Sequence, residues 1–110
     1  MKGIGEKIRI QRLTKNFSQE YMAFMLDISQ PAYSKLERDE TEISIIRVYA
    51  IAEILEINAF ELMPKPKYGT GINQHYIYRT LLKLQKSWKK RFREKKAVFV
   101  KAQKTGHSDI

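Results

Sequence analysis

The sequence predicts an all-α protein: five short helices, a linker, and one long basic helix. Three observations predict it. Apolar residues recur at three- and four-residue spacing, the period of a helix. The capping residues Ser18, Ser29, Ser44 and Asn58 punctuate the first 63 residues. Pro64, Pro66, Gly69 and Gly71 then break the pattern before a stretch dense in Lys and Arg. The expected division is a helical domain over 1–63, a linker over 64–72, and a basic C-terminal helix with a disordered end over 73–110.

The first helix is expected from Ile4 to Lys15, with Ile4 and Ile8 four apart on one face. Asn16 suits a left-handed stop. Ser18 caps the second helix, Gln19 to Met25, with Glu20 favourable in its first turn. Asp27 ends it, because Asp tolerates the geometry of a tight corner. Ser29 caps the third helix, which runs to about Arg38. Pro31 falls in its first turn, where a missing N–H costs little. The polar run Asp39 to Glu42 reads as a loop. Ser44 caps the fourth helix, with Ile45, Val48, Ile51, Ala52 and Leu55 at helical spacing. Asn58 caps a short fifth helix ending near Met63. The long helix is expected over about Asn73 to Val100, with Ala97 to Val100 ambiguous between strand and frayed helix. Its residues Tyr78, Leu81, Gln85, Trp88 and Phe92 form a heptad-like stripe about two heptads long.

The charge is uneven. The chain of 110 residues carries a formal net charge of +9. Residues 1–63 hold eight Lys/Arg against ten Asp/Glu, a net of −2, while 64–110 hold thirteen against two, a net of +11. Such asymmetry points to a basic module that meets a polyanion: DNA, RNA or an anionic membrane surface. A solvated basic tail is the plainer alternative. With no cysteine, neither a disulfide framework nor a thiolate metal site is available. His75 and His107 stand alone, without metal-ligand spacing. No apolar run is long enough to span a membrane, and Met1 to Ile10 lack the apolar core of a signal peptide. A soluble intracellular protein is expected. There is no Gly-rich phosphate loop and no nucleophile with a base partner, so neither an enzyme nor a cofactor is expected.

The informative segment is SQEYMAFMLDISQPAYSKLE, Ser18 to Glu37. It is a short helix, a turn and a second short helix. Ala23 is small where two helices that cross steeply bring their backbones close. A second helix held proud in this way can enter the DNA major groove, whose width matches it. Together with IGEKIR at the start and IAEIL in the fourth helix, this segment resembles the lambda-repressor-like helix-turn-helix family, also called the XRE or Cro/C1 type. The resemblance spans Ile4 to Met63.

The resemblance implies roles. Gln19 matches the glutamine that bonds a phosphate and braces the recognition helix. Gln30 matches the first recognition-helix residue, typically bidentate to adenine N6/N7. Pro31, Ser34 and Lys35 match positions that reach base edges or nearby phosphates, Pro31 by apolar contact alone. Ser29 caps the helix and can touch a phosphate. Arg38, at the end of the same helix, is grouped with these DNA-binding residues. Arg12 and Glu37 match a structural ion pair tying the first helix to the end of the third. The implied protein is a transcriptional regulator that binds double-stranded DNA as a homodimer, in a bacterial-type cytoplasm and associated with the nucleoid.

Some positions depart from the family pattern. Gln11 stands where an apolar residue is usual, and Asp27 and Asp39 where glycine is common. Glu40 and Glu42 occupy a loop that relatives often fill with phosphate-binding basic residues, which weakens backbone binding. Tyr21, Phe24 and Met25 form an apolar patch on the second helix, where relatives are usually polar. Either the C-terminal stripe covers it, from the same chain or a second copy, or it tightens the domain's own core. Two other functions fit the sequence. One is an antitoxin that keeps autoregulatory DNA binding and also binds a toxin, and the C-terminal helix is a candidate surface for a protein partner. The other is a basic tail that binds RNA or a membrane, although its apolar face is only moderately clean, which counts against the membrane.

Overall fold

The fold comes from a computed structural model. The structure describes the backbone of residues 3–63 and 74–108 and the side chains of 3–63 and 83–103. The linker expected over 64–72, the side chains of His75, Tyr78, Leu81 and His107, and residues 109–110 lie outside the described residues. Every regular element among those described is helical: α1 (Ile4–Thr14), α2 (Gln19–Leu26), α3 (Gln30–Glu37), α4 (Ile45–Leu55), a 3₁₀ turn (Ala59–Glu61) and α5 (Gln74–Ser108).

The starts of the helices follow their caps. The hydroxyls of Ser18, Ser29 and Ser44 accept hydrogen bonds from the N–H groups of Tyr21, Ala32 and Arg47, at 3.0, 3.2 and 3.1 Å. Each such cap contributes about 1 kcal/mol. Asn58 accepts from Phe60 N–H at 3.0 Å, but the element it starts is one 3₁₀ turn, shorter than the expected fifth helix. Four corners are closed by left-handed residues other than glycine: Asn16, Asp27, Asp39 and Glu56, with φ of 60, 58, 56 and 57°. Asn and Asp tolerate this region through short polar side chains, whereas Glu56 carries the full steric penalty.

The N-terminus of α1 is capped from elsewhere in the chain. Its cap residue, Gly3, has no side chain; the Asp39 carboxylate accepts instead from Gly5 N–H at 2.9 Å and Gly3 N–H at 3.3 Å. This brings the start of α1 against the end of α3. A Cβ added at Gly5 would lie 2.5 Å from the Glu37 carbonyl oxygen, and closer still to that of Leu36. Only glycine permits that crossing.

The core gathers Ile4 and Ile8 of α1, Met22, Met25 and Leu26 of α2, Tyr33 and Leu36 of α3, Val48, Ile51 and Leu55 of α4, and Leu62. α3 packs on α1 and α2, while α5 packs on α4 and α2. The described aromatic residues of the stripe, Trp88 and Phe92, therefore pack on the domain within one chain, where Tyr21 and Met25 are buried and Phe24 stays partly exposed. Phe92 is buried in the core, and Leu84, Trp88 and Phe99 pack against it. Phe99 meets Tyr21 edge-on at 5.2 Å and Phe24 at 5.6 Å. Residues 97–100 are thus helical rather than strand, and the helix continues through 105–108, where the sequence suggested a disordered end. Docking is also electrostatic. Arg91 and Lys95 both pair with Asp27, and the Lys95 ammonium donates to the carbonyls of Phe24 and Met25, at 3.2 and 3.4 Å. These carbonyls end α2, where a cation is favoured. The two cations hold the Asp27 carboxyl below its ordinary range, Lys95 contributing most.

Candidate nucleic-acid interface

The exposed end of α3 carries the residues expected to touch DNA. Ser29, Gln30, Pro31, Ala32 and Lys35 are exposed and Ser34 is half-exposed, while Tyr33 and Leu36, on the other side of the same helix, are buried in the core. Two turns of helix with one apolar side anchored leave the polar side free to enter a groove. The Ser29 hydroxyl is used by its own helix as the cap.

Gln30 is held by a hydrogen-bonded relay that ends in the interior. Its Nε2 donates to Gln19 Oε1 at 2.7 Å, and Gln19 Nε2 donates to Glu37 Oε1 at 3.1 Å. Glu37 receives Arg12 in a bidentate pair, with Nε to Oε2 at 2.6 Å and Nη2 to Oε1 at 3.1 Å. Arg12 Nη1 then donates to the Phe17 carbonyl at 2.9 Å, in the corner before α2. One chain of bonds ties α1, the first corner, α2 and both ends of α3. Arg12 and Glu37 are both buried, at 8% and 5% exposure. Burial pushes the Glu37 carboxyl up, but bonds from Arg12 and Gln19 beside the Tyr33 hydroxyl outweigh it, and its pKa falls below the usual carboxylate value. Tyr33 sits in the same nest, its buried hydroxyl beside Glu37 but without a well-formed hydrogen bond. Burial, then the neighbouring carboxylate, push its pKa far up, so it remains neutral.

The relay leaves Gln30 with its carbonyl oxygen and one amide hydrogen unused. One acceptor and one donor, side by side, are what adenine N6 and N7 require. Gln19 has little left to offer a phosphate: its oxygen and one hydrogen are engaged within the protein, leaving one hydrogen.

The other end of α3 is self-neutralised. Arg38 makes a bidentate pair with Glu40, Nε to Oε1 at 3.1 Å and Nη2 to Oε2 at 3.2 Å, and its Nη1 donates to Ser34 Oγ at 2.6 Å. Each partner's charge favours the other's charged form, raising the pKa of Arg38 and lowering that of Glu40. Arg38 and Ser34, both expected at the DNA, are therefore bound to one another in the free protein. The sequence reading missed this pairing, although Arg and Glu two residues apart across a left-handed Asp39 were its visible signal. Among the described residues, no group of His, Asp or Glu is placed to hold a metal ion. No described helix is long and apolar enough to cross a membrane.

A helix-turn-helix family profile matches residues 8–62, 55 of the 110 residues. No curated protein and no solved structure matches the chain. The buried relay, the capped pair α2–α3 with its exposed tip, and the family match agree. The chain belongs to the XRE, or lambda-repressor-like, family of helix-turn-helix DNA-binding regulators.

Proposed function

We propose that the protein is a sequence-specific regulator of transcription that reads double-stranded DNA with α3 in the major groove. The observation that carries the reading is the Gln30 amide. It is exposed, unused on its reading edge, and braced through Gln19 to the buried Arg12–Glu37 pair. A base-reading side chain needs such bracing, because each disordered rotamer would subtract from the roughly 1–3 kcal/mol that a bidentate base contact supplies. In this reading Pro31 offers apolar contact to a thymine methyl, and Lys35 reaches guanine or a phosphate. Ser29, Ser34 and Arg38 meet the backbone once DNA competes for Arg38.

The reading includes a homodimer on a pseudo-palindromic site, with half-sites about 34 Å apart, one helical turn. It assigns the base-reading domain to 1–63, the linker to 64–72 and the basic helix to 73–110, in a cytoplasmic protein that needs no cofactor. Selection from a randomised duplex pool with the full chain tests it. Enrichment of paired half-sites, lost at one base position in Gln30→Ala, supports the reading. A pool that stays random after several rounds refutes it.

A further inference from the structure

The outward face of α5 has no part in the base-reading surface. Among residues 83–103 the one acid is Glu94. At 100° per residue, Lys83, Lys86, Lys89, Lys90, Arg93 and Lys96 fall within about 140° of the helix circumference. All six are exposed. Lys83, Lys86, Lys90 and Arg93, spaced 3, 4 and 3 apart, form a row along it. None of these four makes an ion pair with a described residue. The cations that hold α5 in place, Arg91 and Lys95, lie towards Asp27, outside this sector.

We propose that this row is a second, sequence-independent binding surface for the phosphate backbone of duplex DNA. The choice of duplex rests on the reading of α3 as a DNA reader. The row spans about 15 Å of helix, at 1.5 Å per residue. The four charges stand about 5 Å apart on average along the helix axis, the same order as the one phosphate per roughly 3.4 Å of axis on a DNA strand. Docking removes the main competitors. Insertion into a membrane needs an apolar face beside the basic one, and here Trp88, Phe92 and Phe99 are committed to α2 and α4. Single-stranded RNA is gripped by stacking bases on freely exposed aromatic rings, whereas here Phe92 is buried and Trp88 and Phe99 are partly buried against the core. What remains is charge at regular spacing on a rigid rod, which a duplex backbone matches. The domain itself supplies little phosphate neutralisation, since residues 1–63 carry a net of −2 and Arg38 is paired with Glu40.

The test titrates the full chain and the variant Lys83→Gln/Lys86→Gln/Lys90→Gln/Arg93→Gln into a labelled random-sequence duplex, read by fluorescence anisotropy. Circular dichroism and the fluorescence of the single Trp88 report whether α5 stays folded and docked. With four phosphate contacts at stake, the unmodified chain should lose about 100-fold more affinity than the variant between roughly 50 and 200 mM salt. If the fourfold variant fails to fold, Lys83→Gln/Lys90→Gln should give about half the change in salt slope. Equal salt slopes overturn the proposal. So does a variant that loses binding to single-stranded RNA or anionic vesicles but keeps duplex binding. Gln30→Ala separates the two readings: it abolishes preference for a selected site and leaves the salt slope on random duplex intact. A chain with a steep α5-dependent slope and no sequence preference would refute the α3 reading while sustaining this one.

Discussion

Replacing Glu37 by Gln tests whether the buried relay holds the domain together. The side chains of Glu37 and Arg12 are 2% and 10% exposed, so the substitution leaves a guanidinium nearly without water and without its counter-charge. Breaking such a pair from one side costs about 3–5 kcal/mol, because the remaining charge is still desolvated. Gln retains the shape and one carbonyl acceptor, which places the expected loss near 3 kcal/mol. A chain of this size has roughly 5–15 kcal/mol in all. Urea unfolding followed by helical circular dichroism reads the difference. The pH dependence is a second signature. The Glu37 pKa is depressed in the folded state, so its contribution is complete above the unfolded carboxylate value and is lost as pH falls through the folded one. The gap between the two proteins should therefore be full at neutral pH and close in acid. Replacing both partners by apolar residues, Arg12→Met with Glu37→Leu, should recover most of the loss. A Glu37→Gln cost under about 1 kcal/mol, or a gap that persists unchanged into acid, would refute the reasoning.

Three further substitutions probe other parts of the argument. Gly5→Ala drives a methyl into the carbonyls of Leu36 and Glu37 and should cost about 1–3 kcal/mol, measured as a lowered thermal midpoint. Glu56→Gly relieves a left-handed residue at φ 57°. The steric relief of about 1–2 kcal/mol exceeds the chain-entropy cost of glycine, about 0.5–1, so the thermal midpoint should rise by a few degrees. Glu40→Gln releases Arg38 and removes an acid from the face of α3, and duplex affinity should rise with a salt slope steeper by about one phosphate contact. No gain in affinity would mean that Arg38 lies away from the backbone.

Local grammar made most of the helical domain legible. Ser18, Ser29 and Ser44 cap the helices they were expected to cap, and Asn16 and Asp27 close theirs in the left-handed region. These signals act within four residues, so one sequence suffices to read them. Interactions across the fold were another matter. Asp39 reads as a substitute for glycine at a corner, but its carboxylate also caps α1, 34 to 36 residues earlier. The acids after α3 read as phosphate-repelling, which is half of the account; Glu40 also occupies Arg38. Gln19 and Gln30 were each singled out, while the bond between them needs the helix crossing. Phe99 was missed in the stripe because Val98, Phe99 and Val100 are β-prone. Its seven-residue distance from Phe92 was the stronger signal, since tertiary contact with Tyr21 and Phe24 decides the conformation.

The docked α5 changes what the charge asymmetry of the chain means. A disordered basic tail contributes through effective concentration alone and can reach phosphates in any direction. Here the tail is a helix fixed at three levels along the domain: Phe92 in the core with Trp88 packed against it, Arg91 and Lys95 at the Asp27 corner, and Phe99 on α2. Asp27 is the residue that turns the chain from α2 into α3, two residues before the cap of the reading helix. The clamp on α5 and the corner between α2 and α3 therefore share one residue, the first through its carboxylate and the second through its backbone. This arrangement separates two tasks that most phosphate-rich interfaces merge. The face of α3 is electrostatically modest, so in the proposed reading discrimination there rests on hydrogen bonds that depend on base identity. Under the proposal made above, cations on a different face add affinity that is indifferent to sequence and leave selectivity to the braced glutamine.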